Sequence, residues 1–208
     1  MVRILTVERE YGSGAASISK ALADRLGWKV WDEEFTRRIA SSLNCEPKLV
    51  EQREERIDSM FYRLIKTFMR GSFEAKTATA GLELLDAENL VVLFERVINE
   101  IAAEGNAIIV GRGAPWFLRQ RDDVFNVFLY APYAEKLRRT VEGGLSQKDA
   151  EGFLETVDQE RSAFVRKYYG LEWPHRPLYD LMINTEAGDD VVVKIILDQL
   201  GRLNNCTY

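Results

Sequence analysis

The sequence predicts an α/β protein built on a five-stranded parallel β-sheet flanked by helices, and three observations lead to this fold class. Five short apolar runs, most of them continuous rather than alternating, are typical of strands covered on both faces. Amphipathic helical patterns separate these runs, and alternating strands and helices favour parallel pairing through helical crossovers. The length of 208 residues suits one domain, which we assign to residues 1–208.

The predicted elements alternate along the chain. Helical patterns at residues 17–26 and 88–104 each run into a glycine, Gly27 and Gly105, the residue type that most readily closes a helix. A last amphipathic pattern covers residues 191–203. The predicted strands are residues 4–7, 29–31, 107–110, 125–130 and 181–184.

Two segments interrupt this alternation. Residues 46–85 combine a helical stripe of apolar side chains with a small, polar stretch, and we interpret them as a helical excursion on one side of the sheet. Residues 146–170 form a second helical excursion that is rich in charged side chains. No low-complexity linker sets either segment apart, so we expect both to belong to the same domain.

Composition argues against several classes of protein. A net charge of −5 argues against a broad surface for nucleic acid, so we expect no nucleic acid polymer as a partner. Cys45 and Cys206 are distant in sequence and lack the spacing of a metal site, so we expect both to be reduced thiols. His175 is the one histidine of the sequence, which argues against a histidine-based triad or zinc site. No apolar stretch approaches the roughly 18 residues of a membrane span, so we expect a cytoplasmic protein with no membrane partner.

A loop of small residues follows the first predicted strand and precedes the first predicted helix. Such a loop favours anions, because backbone N–H groups at a helix N-terminus point toward the ligand and the helix dipole attracts negative charge. Small residues also let phosphate oxygens approach the backbone closely. The predicted phosphate-binding residues are Gly12, Ser13, Gly14, Ala15, Ala16 and Ser17.

Two other interpretations of this loop remain open at this point. The first is a tight strand-to-helix turn that binds no ligand. The second is a dinucleotide-binding loop, because the segment nearly fits Gly-x-Gly-x-x-Gly and Asp32 follows at about the right distance for a ribose contact. Tyr62 and Lys66 match an oxidoreductase Tyr-x-x-x-Lys pair, but they precede the third predicted strand, far earlier than such enzymes place it.

Five motifs in a fixed order carry a family resemblance. They are YGSG followed by small residues and Ile18, WD at residues 31–32, IVGRGA at residues 109–114, VFLYAP at residues 127–132 and YDLMINT at residues 179–185. Together they resemble the cytidylate-kinase-like family of P-loop nucleoside monophosphate kinases, over roughly residues 3–200. The resemblance implies a P-loop kinase-like core, an acceptor-binding excursion at about residues 46–85 and a lid at about residues 146–170.

The resemblance also implies a function. The chain is expected to be a transferase that binds nucleotide substrates and moves a phosphoryl group from ATP to CMP or dCMP. Mg²⁺ would bridge the donor phosphates. Two alternatives remain: a nucleotide-binding protein that has lost turnover, and a kinase of another small phosphorylated acceptor.

The loop departs from the ordinary P-loop pattern Gly-x-x-x-x-Gly-Lys-[Ser/Thr]. With the pattern laid on Gly14, the lysine position holds Ala15 and the first glycine position holds Arg9. Ser17 keeps a hydroxyl for phosphate or Mg²⁺, and relatives of this subfamily also tend to lack the lysine. Because phosphoryl transfer depends on neutralising developing charge, another cation must replace it, and Arg9, taken as a loop residue, is a candidate catalytic group.

The candidate acceptor-binding residues also rest on the resemblance. Arg112 follows the third strand and corresponds to an arginine that grips the monophosphate, for which a planar guanidinium is well suited. A second such arginine is Arg37 or Arg38, of which only one can face the cleft because adjacent helical residues point about 100° apart. We take Arg38 as the candidate, and Asp32 either binds the acceptor or caps the following helix.

The lid contributes the remaining candidates. Asp158 and Arg161 match its D-x-x-R spacing and share one helix face, so the carboxylate can orient the arginine or contact the acceptor base. Arg161 and Arg166 are the candidate catalytic arginines, although they lie roughly 140° apart around a helix. The other lid arginine expected from the family falls on Leu154 and is missing.

Overall fold

A computed structural model describes residues 1–44 and 87–205 of the chain, and its central feature is a five-stranded sheet. The strands are β1 (Ile4–Arg9), β2 (Lys29–Trp31), β3 (Ala107–Val110), β4 (Val124–Tyr130) and β5 (Leu181–Asn184). Their order is β2-β3-β1-β4-β5, and each neighbouring pair is parallel. The predicted parallel α/β sheet is therefore confirmed.

Helices cover both faces of this sheet. No helix within the two described ranges is long and apolar enough to cross a membrane. The helices are α1 (Ala15–Leu26), α2 (Glu33–Asn44), α3 (Ala87–Glu104), α4 (Ala114–Phe117), α5 (Tyr133–Glu142), α6 (Gln147–Tyr169) and α7 (Asp189–Asn205), with single 3₁₀ turns at Arg176–Leu178 and Thr185–Ala187.

The predicted helix ends are confirmed where glycine closes a helix. Gly27 follows α1 with φ 68°, in the left-handed region that glycine adopts without strain, and its N–H donates to the carbonyl of Ala23. Gly105 follows α3 with φ 73°. The sequence analysis did not predict α4, which is a single turn of four residues, or α5, in which five of ten residues are charged and Thr140 is the buried one.

The first strand is longer than predicted, which corrects the assignment of Arg9. Glu8 and Arg9 continue the parallel ladder and pair with Phe128 and Leu129 of β4. Arg9 is thus the last residue of β1 and not a loop residue. Backbone pairing with the neighbouring strand decides where a strand ends, and hydropathy does not report it.

Alternate residues of β1 face two separate apolar layers. Ile4 packs with α2, α3 and α6 in a cluster that includes Phe94 and Phe164, whereas Leu5 and Val7 pack with α1 and α7. Because residues two apart on a strand share a face, Glu8 lies on the same side as Ile4, beneath α6. A carboxylate is therefore placed at the carboxyl end of the sheet, on the side where α6 covers it.

Several predictions fall outside the described residues. These are the acceptor-side excursion at residues 46–85, the Tyr62 and Lys66 pair, and the two cysteines, Cys45 and Cys206. They stay predictions, as does the assignment of residues 1–208 to one domain.

Candidate functional site

The loop between β1 and α1 has the backbone geometry of a phosphate-binding turn. Gly12 and Gly14 adopt φ 76° and 79°, values that only glycine reaches without strain, and α1 begins at Ala15. The N–H groups of Ala15, Ala16 and Ser17 are in the first turn, where no helix carbonyl precedes them to accept their hydrogen bonds. The loop therefore presents backbone donors at a helix N-terminus, as an anion site requires.

The outer side of the loop is held by α5 and by the turn after β5. The Ser13 carbonyl accepts hydrogen bonds from Arg139 Nη1 (2.9 Å) and Thr185 Oγ1 (2.7 Å). Arg139 Nη2 also donates to the Thr185 carbonyl at 2.8 Å. Ser17 Oγ lies 2.5 Å from Asp189 Oδ2 and 2.9 Å from the Gly14 carbonyl. A hydroxyl and a carboxylate thus flank the first turn of α1.

Helix α5 packs directly on the loop. A Cβ on Gly12 would lie 3.0 Å from Thr140 Oγ1 and 3.1 Å from Lys136 Cβ, so a side chain here would force these neighbours to shift by a few tenths of an ångström. Lys136 Nζ lies 2.9 Å from Glu10 Oε2 and 3.7 Å from Asp158 Oδ2. An ammonium group therefore sits at the start of the loop, between two carboxylates.

Helix α6 binds the same loop through Asp158 and Arg161. The N–H of Tyr11 donates to both oxygens of Asp158, at 2.9 and 3.2 Å. Arg161 Nη1 donates to Asp158 Oδ1 at 2.9 Å and to the carbonyl of Arg9 at 3.0 Å. The two side chains share one helix face, as their spacing predicts. In this arrangement the carboxylate of Asp158 engages the loop backbone.

Three arginines meet beneath α6 and form what we call the arginine cluster: Arg9, Arg112 and Arg161. Their exposures are only 4%, 1% and 5%. Burial lowers the pKa of Arg112 and of Arg161 to about 10, and the positive charge of Arg9 acts in the same direction on both. Arg112 and Arg161 remain protonated at neutral pH, and with Arg9 beside them the cluster concentrates positive charge at the carboxyl edge of the sheet.

Carboxylates balance the cluster. Asp32 Oδ1 lies 3.6 Å from Arg112 Nη2, and Glu8 Oε1 lies 3.8 Å from Arg9 Nη1. Arg9 Nη2 is buried and has no hydrogen-bond partner among the described residues. A buried donor without an acceptor is costly, and an anionic ligand would supply the acceptor. The structure thus brings Asp32 and Arg112 together, as the acceptor-site prediction requires.

Two predicted arginines lie apart from this cluster. Arg38 pairs with Glu104 at 2.8 Å and Glu100 at 3.3 Å, both on α3. Its neighbour Arg37 is 66% exposed at the side chain and pairs with Glu34. Arg166 lies on the exposed side of α6. The roles assigned to Arg38 and Arg166 stay predictions that the described contacts do not join to Arg112 or Arg161.

An aromatic cavity adjoins the cluster on the Glu8 side. Its lining includes Glu8, Trp116, Tyr169, Trp173 and Tyr179. The Tyr169 hydroxyl is buried without a hydrogen-bond partner among the described residues. Burial, helped by the charge of Glu8, raises the pKa of Tyr169 and Tyr179, so both hydroxyls stay neutral donors.

Sequence reasoning missed five residues of this site: Glu8, Lys136, Arg139, Thr185 and Asp189. A usable signal existed for most of them. Lys136 and Arg139 lie three residues apart on the helix after β4, and Thr185 and Asp189 follow β5 directly. Ligands of parallel α/β sheets bind beyond the carboxyl ends of the strands, so segments that follow β4 and β5 belong to the same edge as the loop.

The chain is similar in sequence to proteins named cytidylate kinase. The chain is 24% identical over 196 residues to cytidylate kinase from Ignicoccus hospitalis, covering 93% of this chain and 96% of that one. It is 29% identical over 143 residues to cytidylate kinase from Thermococcus kodakarensis, covering 62% of this chain and 72% of the other.

Solved structures show the same fold. An uncharacterized protein from Eubacterium ventriosum superposes with TM-score 0.68 at 17% identity, covering 97% of this chain and 99% of that chain. Shikimate kinase from Acinetobacter baumannii, solved with shikimate, superposes with TM-score 0.51 at 17% identity, covering 100% and 97%. The fold is thus that of the P-loop kinases. The sequence model of the cytidylate kinase-like family matches residues 4–187, and the chain therefore belongs to that family, as its motifs predicted.

Proposed function

We propose that the protein is a nucleoside monophosphate kinase that transfers a phosphoryl group from ATP to CMP or dCMP. The observation that carries this proposal is the arginine cluster, three buried guanidinium groups placed beside a glycine loop at a helix N-terminus. A donor polyphosphate and an acceptor phosphate repel each other when they are held side by side. Backbone N–H donors and fixed cations offset that repulsion. Family membership and relatives named cytidylate kinase support the choice of acceptor.

The donor is proposed to bind at the loop. The first-turn N–H groups of Ala15, Ala16 and Ser17 would donate to its phosphates, and the glycines let the phosphates approach the backbone. The oxygens of Ser17 and Asp189, 2.5 Å apart, are of the hard type that Mg²⁺ prefers, and the ion usually takes one or two such protein groups together with substrate phosphates. Those two residues fit the ion, which would neutralise donor charge when bound.

The acceptor phosphate is proposed to bind Arg112, whose guanidinium is fixed by Asp32 at 3.6 Å. An arginine that is already buried and oriented loses little side-chain entropy on binding, and its contact with phosphate is charge-assisted. No covalent intermediate is required, because an oxygen of the acceptor phosphate is itself the nucleophile. Asp158 and Arg38 stay proposed acceptor-side residues.

Arg161 and Arg9 are proposed to neutralise charge that develops on the transferred group. Arg161 is anchored to the Arg9 carbonyl at 3.0 Å, so it needs no rearrangement to remain beside the loop. Preorganised cations of this kind act more strongly in a dry site than in water. Arg166 is exposed on α6, and its proposed role requires the end of that helix to approach the substrates.

A nucleotide-binding protein without turnover is the second candidate. The observation that favours it is chemical: the lysine position holds Ala15, and that side chain is 4% exposed and packs in the apolar layer with α7. A chain that binds nucleotide but cannot neutralise the transition state would keep the loop and lose the reaction.

Coupled-assay turnover with ATP against a panel of nucleoside monophosphates tests the proposal. We expect CMP and dCMP to be phosphorylated faster than AMP, GMP and UMP. Calorimetric titration of ATP on the same preparation separates the two candidates. Nucleotide binding with no turnover on any acceptor supports the second candidate, and phosphorylation of a different acceptor alone contradicts the assignment of CMP.

A further inference from the structure

Among the residues that the structure describes, Lys136 places its ammonium group beside the glycine loop of residues 12–17. Its Cβ would meet a Cβ on Gly12 at 3.1 Å, and its side chain is 13% exposed. The side chain runs along the loop, and Nζ ends 2.9 Å from Glu10 Oε2. A cation is therefore held beside the loop that lacks a lysine at position 15.

The partners of Lys136 differ in how tightly they are held. Asp158, at 3.7 Å from Nζ, is fixed by the N–H of Tyr11 and by Arg161. Glu10 is bound through Lys136 and its side chain is 26% exposed. A carboxylate that reaches water can be released at small cost, because water replaces the lost contact. The pair of Lys136 and Glu10 is thus the exchangeable one.

We propose that Lys136 replaces the missing P-loop lysine by transferring its ammonium group from Glu10 to the β- and γ-phosphates of the donor. This inference rests on the proposed binding of ATP at the loop. The exchange is one anion for another: the N⁺–H groups leave a carboxylate oxygen and contact phosphate oxygens, which carry more charge. The replacement cation comes from α5, across the loop, and not from α1.

The other cations near the loop are less able to make this exchange. Arg139 is held by the carbonyls of Ser13 and Thr185 and by Glu135 at 2.7 Å. Arg161 is tied to the Arg9 carbonyl. A guanidinium bonded to backbone carbonyls leaves those acceptors unsatisfied when it moves, and a buried acceptor without a donor is costly. Lys136 leaves only carboxylates that keep other contacts or reach water.

Calorimetric titration of the full chain tests the proposal. Lys136→Met should lower the affinity for ATP about 10- to 100-fold, which is the expected effect of losing one or two charge-assisted contacts. The affinity for inorganic tripolyphosphate should fall by a similar factor. The affinities for AMP and CMP should change less than about twofold, because these nucleotides lack the β- and γ-phosphates. Lys136→Arg should retain most of the affinity for ATP.

Arg138→Met is the matched control. It removes one positive charge from the same helix, but Arg138 is 53% exposed and pairs with Glu135 and Glu142 on α5 itself. ATP affinity should stay within about twofold of the unmodified chain. Equal effects of Lys136→Met and Arg138→Met would overturn the proposal, because the change would then reflect net charge alone.

Glu10→Gln gives a result of opposite sign and guards against a folding artefact. Removing the competing carboxylate should raise the affinity for ATP about 3- to 10-fold if Lys136 must leave Glu10 to bind phosphate. If the pair only fastens α5 to the loop, the same substitution should weaken ATP, and that outcome overturns the proposal. An unmodified chain that binds neither ATP nor tripolyphosphate instead contradicts the proposed function. ATP binding that Lys136→Met leaves intact contradicts the Lys136 role alone.

Discussion

The two halves of the candidate site are built on different physical principles. On the loop side, the backbone offers N–H groups at a helix N-terminus, and Lys136 and Asp189 beside it are partly exposed and contact Glu10 and Ser17. On the other side, the arginine cluster, which is proposed to hold the acceptor phosphate and the transferred group, is almost fully buried and is fixed by carboxylates and a backbone carbonyl. We therefore expect the loop side to adapt to a bound ligand, whereas the arginine cluster is formed in advance.

This difference predicts where substitutions act. Loss of a buried, preorganised cation removes transition-state or acceptor stabilisation that nothing nearby can replace. Loss of an exposed or exchangeable group on the donor side is softened by water and by neighbouring charges. The following predictions test this contrast, from the largest expected effect to the smallest.

Arg161→Ala should reduce turnover with ATP and CMP by on the order of 10³-fold, the lower end for a cationic group acting on a transferred phosphoryl. Affinity for ATP should change much less, because the contact matters mainly in the reacting state. Lys167→Ala, which removes an exposed charge from the same helix, is the control, and steady-state kinetics measure both. Turnover that survives Arg161→Ala unchanged would remove this residue from the reaction.

Arg112→Ala should weaken CMP binding by about 1.5–3 kcal/mol, the loss of a charge-assisted contact to the acceptor phosphate. ATP binding should stay nearly constant. The exposed Arg119, substituted in the same way, should leave both affinities unchanged. Calorimetric titration of each nucleotide separates the two halves, and equal losses for ATP and CMP would contradict the placement of Arg112 on the acceptor side.

Gly12→Ala should lower the free energy of unfolding by about 1–3 kcal/mol, because it combines a left-handed backbone with a clash against Thr140 and Lys136. Gly27→Ala isolates the first of these costs, since Gly27 has φ 68° but no atom within 4 Å of its Cβ position. It should cost only about 1 kcal/mol. Urea denaturation measures both, and equal destabilisation would show that α5 does not press on the loop in solution.

The sequence predicted the parts of the fold that depend on local patterns. The sheet, the glycine at the end of α1 and the glycine at the end of α3 follow from hydrophobic periodicity and from backbone preferences that act within a few residues. The strand end at Arg9 was misplaced because it depends on pairing with Leu129, which is distant in sequence. Helix α5 was missed because half of its side chains are charged and only Thr140 is buried.

The candidate site was predictable only in part, for the same reason. The glycine loop and the spacing of Asp158 and Arg161 are visible in sequence. The contacts that complete the site join residues far apart: Lys136 meets Glu10 across 126 positions, and Ser17 meets Asp189 across 172. No local pattern encodes such a pairing, and it becomes visible only when the sheet order brings the ends of β1, β4 and β5 to one edge.

The anchor between Arg161 and β1 has a consequence for how this protein can diversify. The guanidinium binds the backbone carbonyl at position 9, and every amino acid provides that carbonyl. A substitution at position 9 can therefore change the charge in the arginine cluster. The hydrogen bond from Arg161 of α6 to the backbone of β1 is kept. Position 111 is constrained for as long as position 9 holds an arginine, because a Cβ on Gly111 would collide with the Arg9 guanidinium. The side-chain charge at position 9 and the attachment of α6 to the backbone of position 9 can thus change independently.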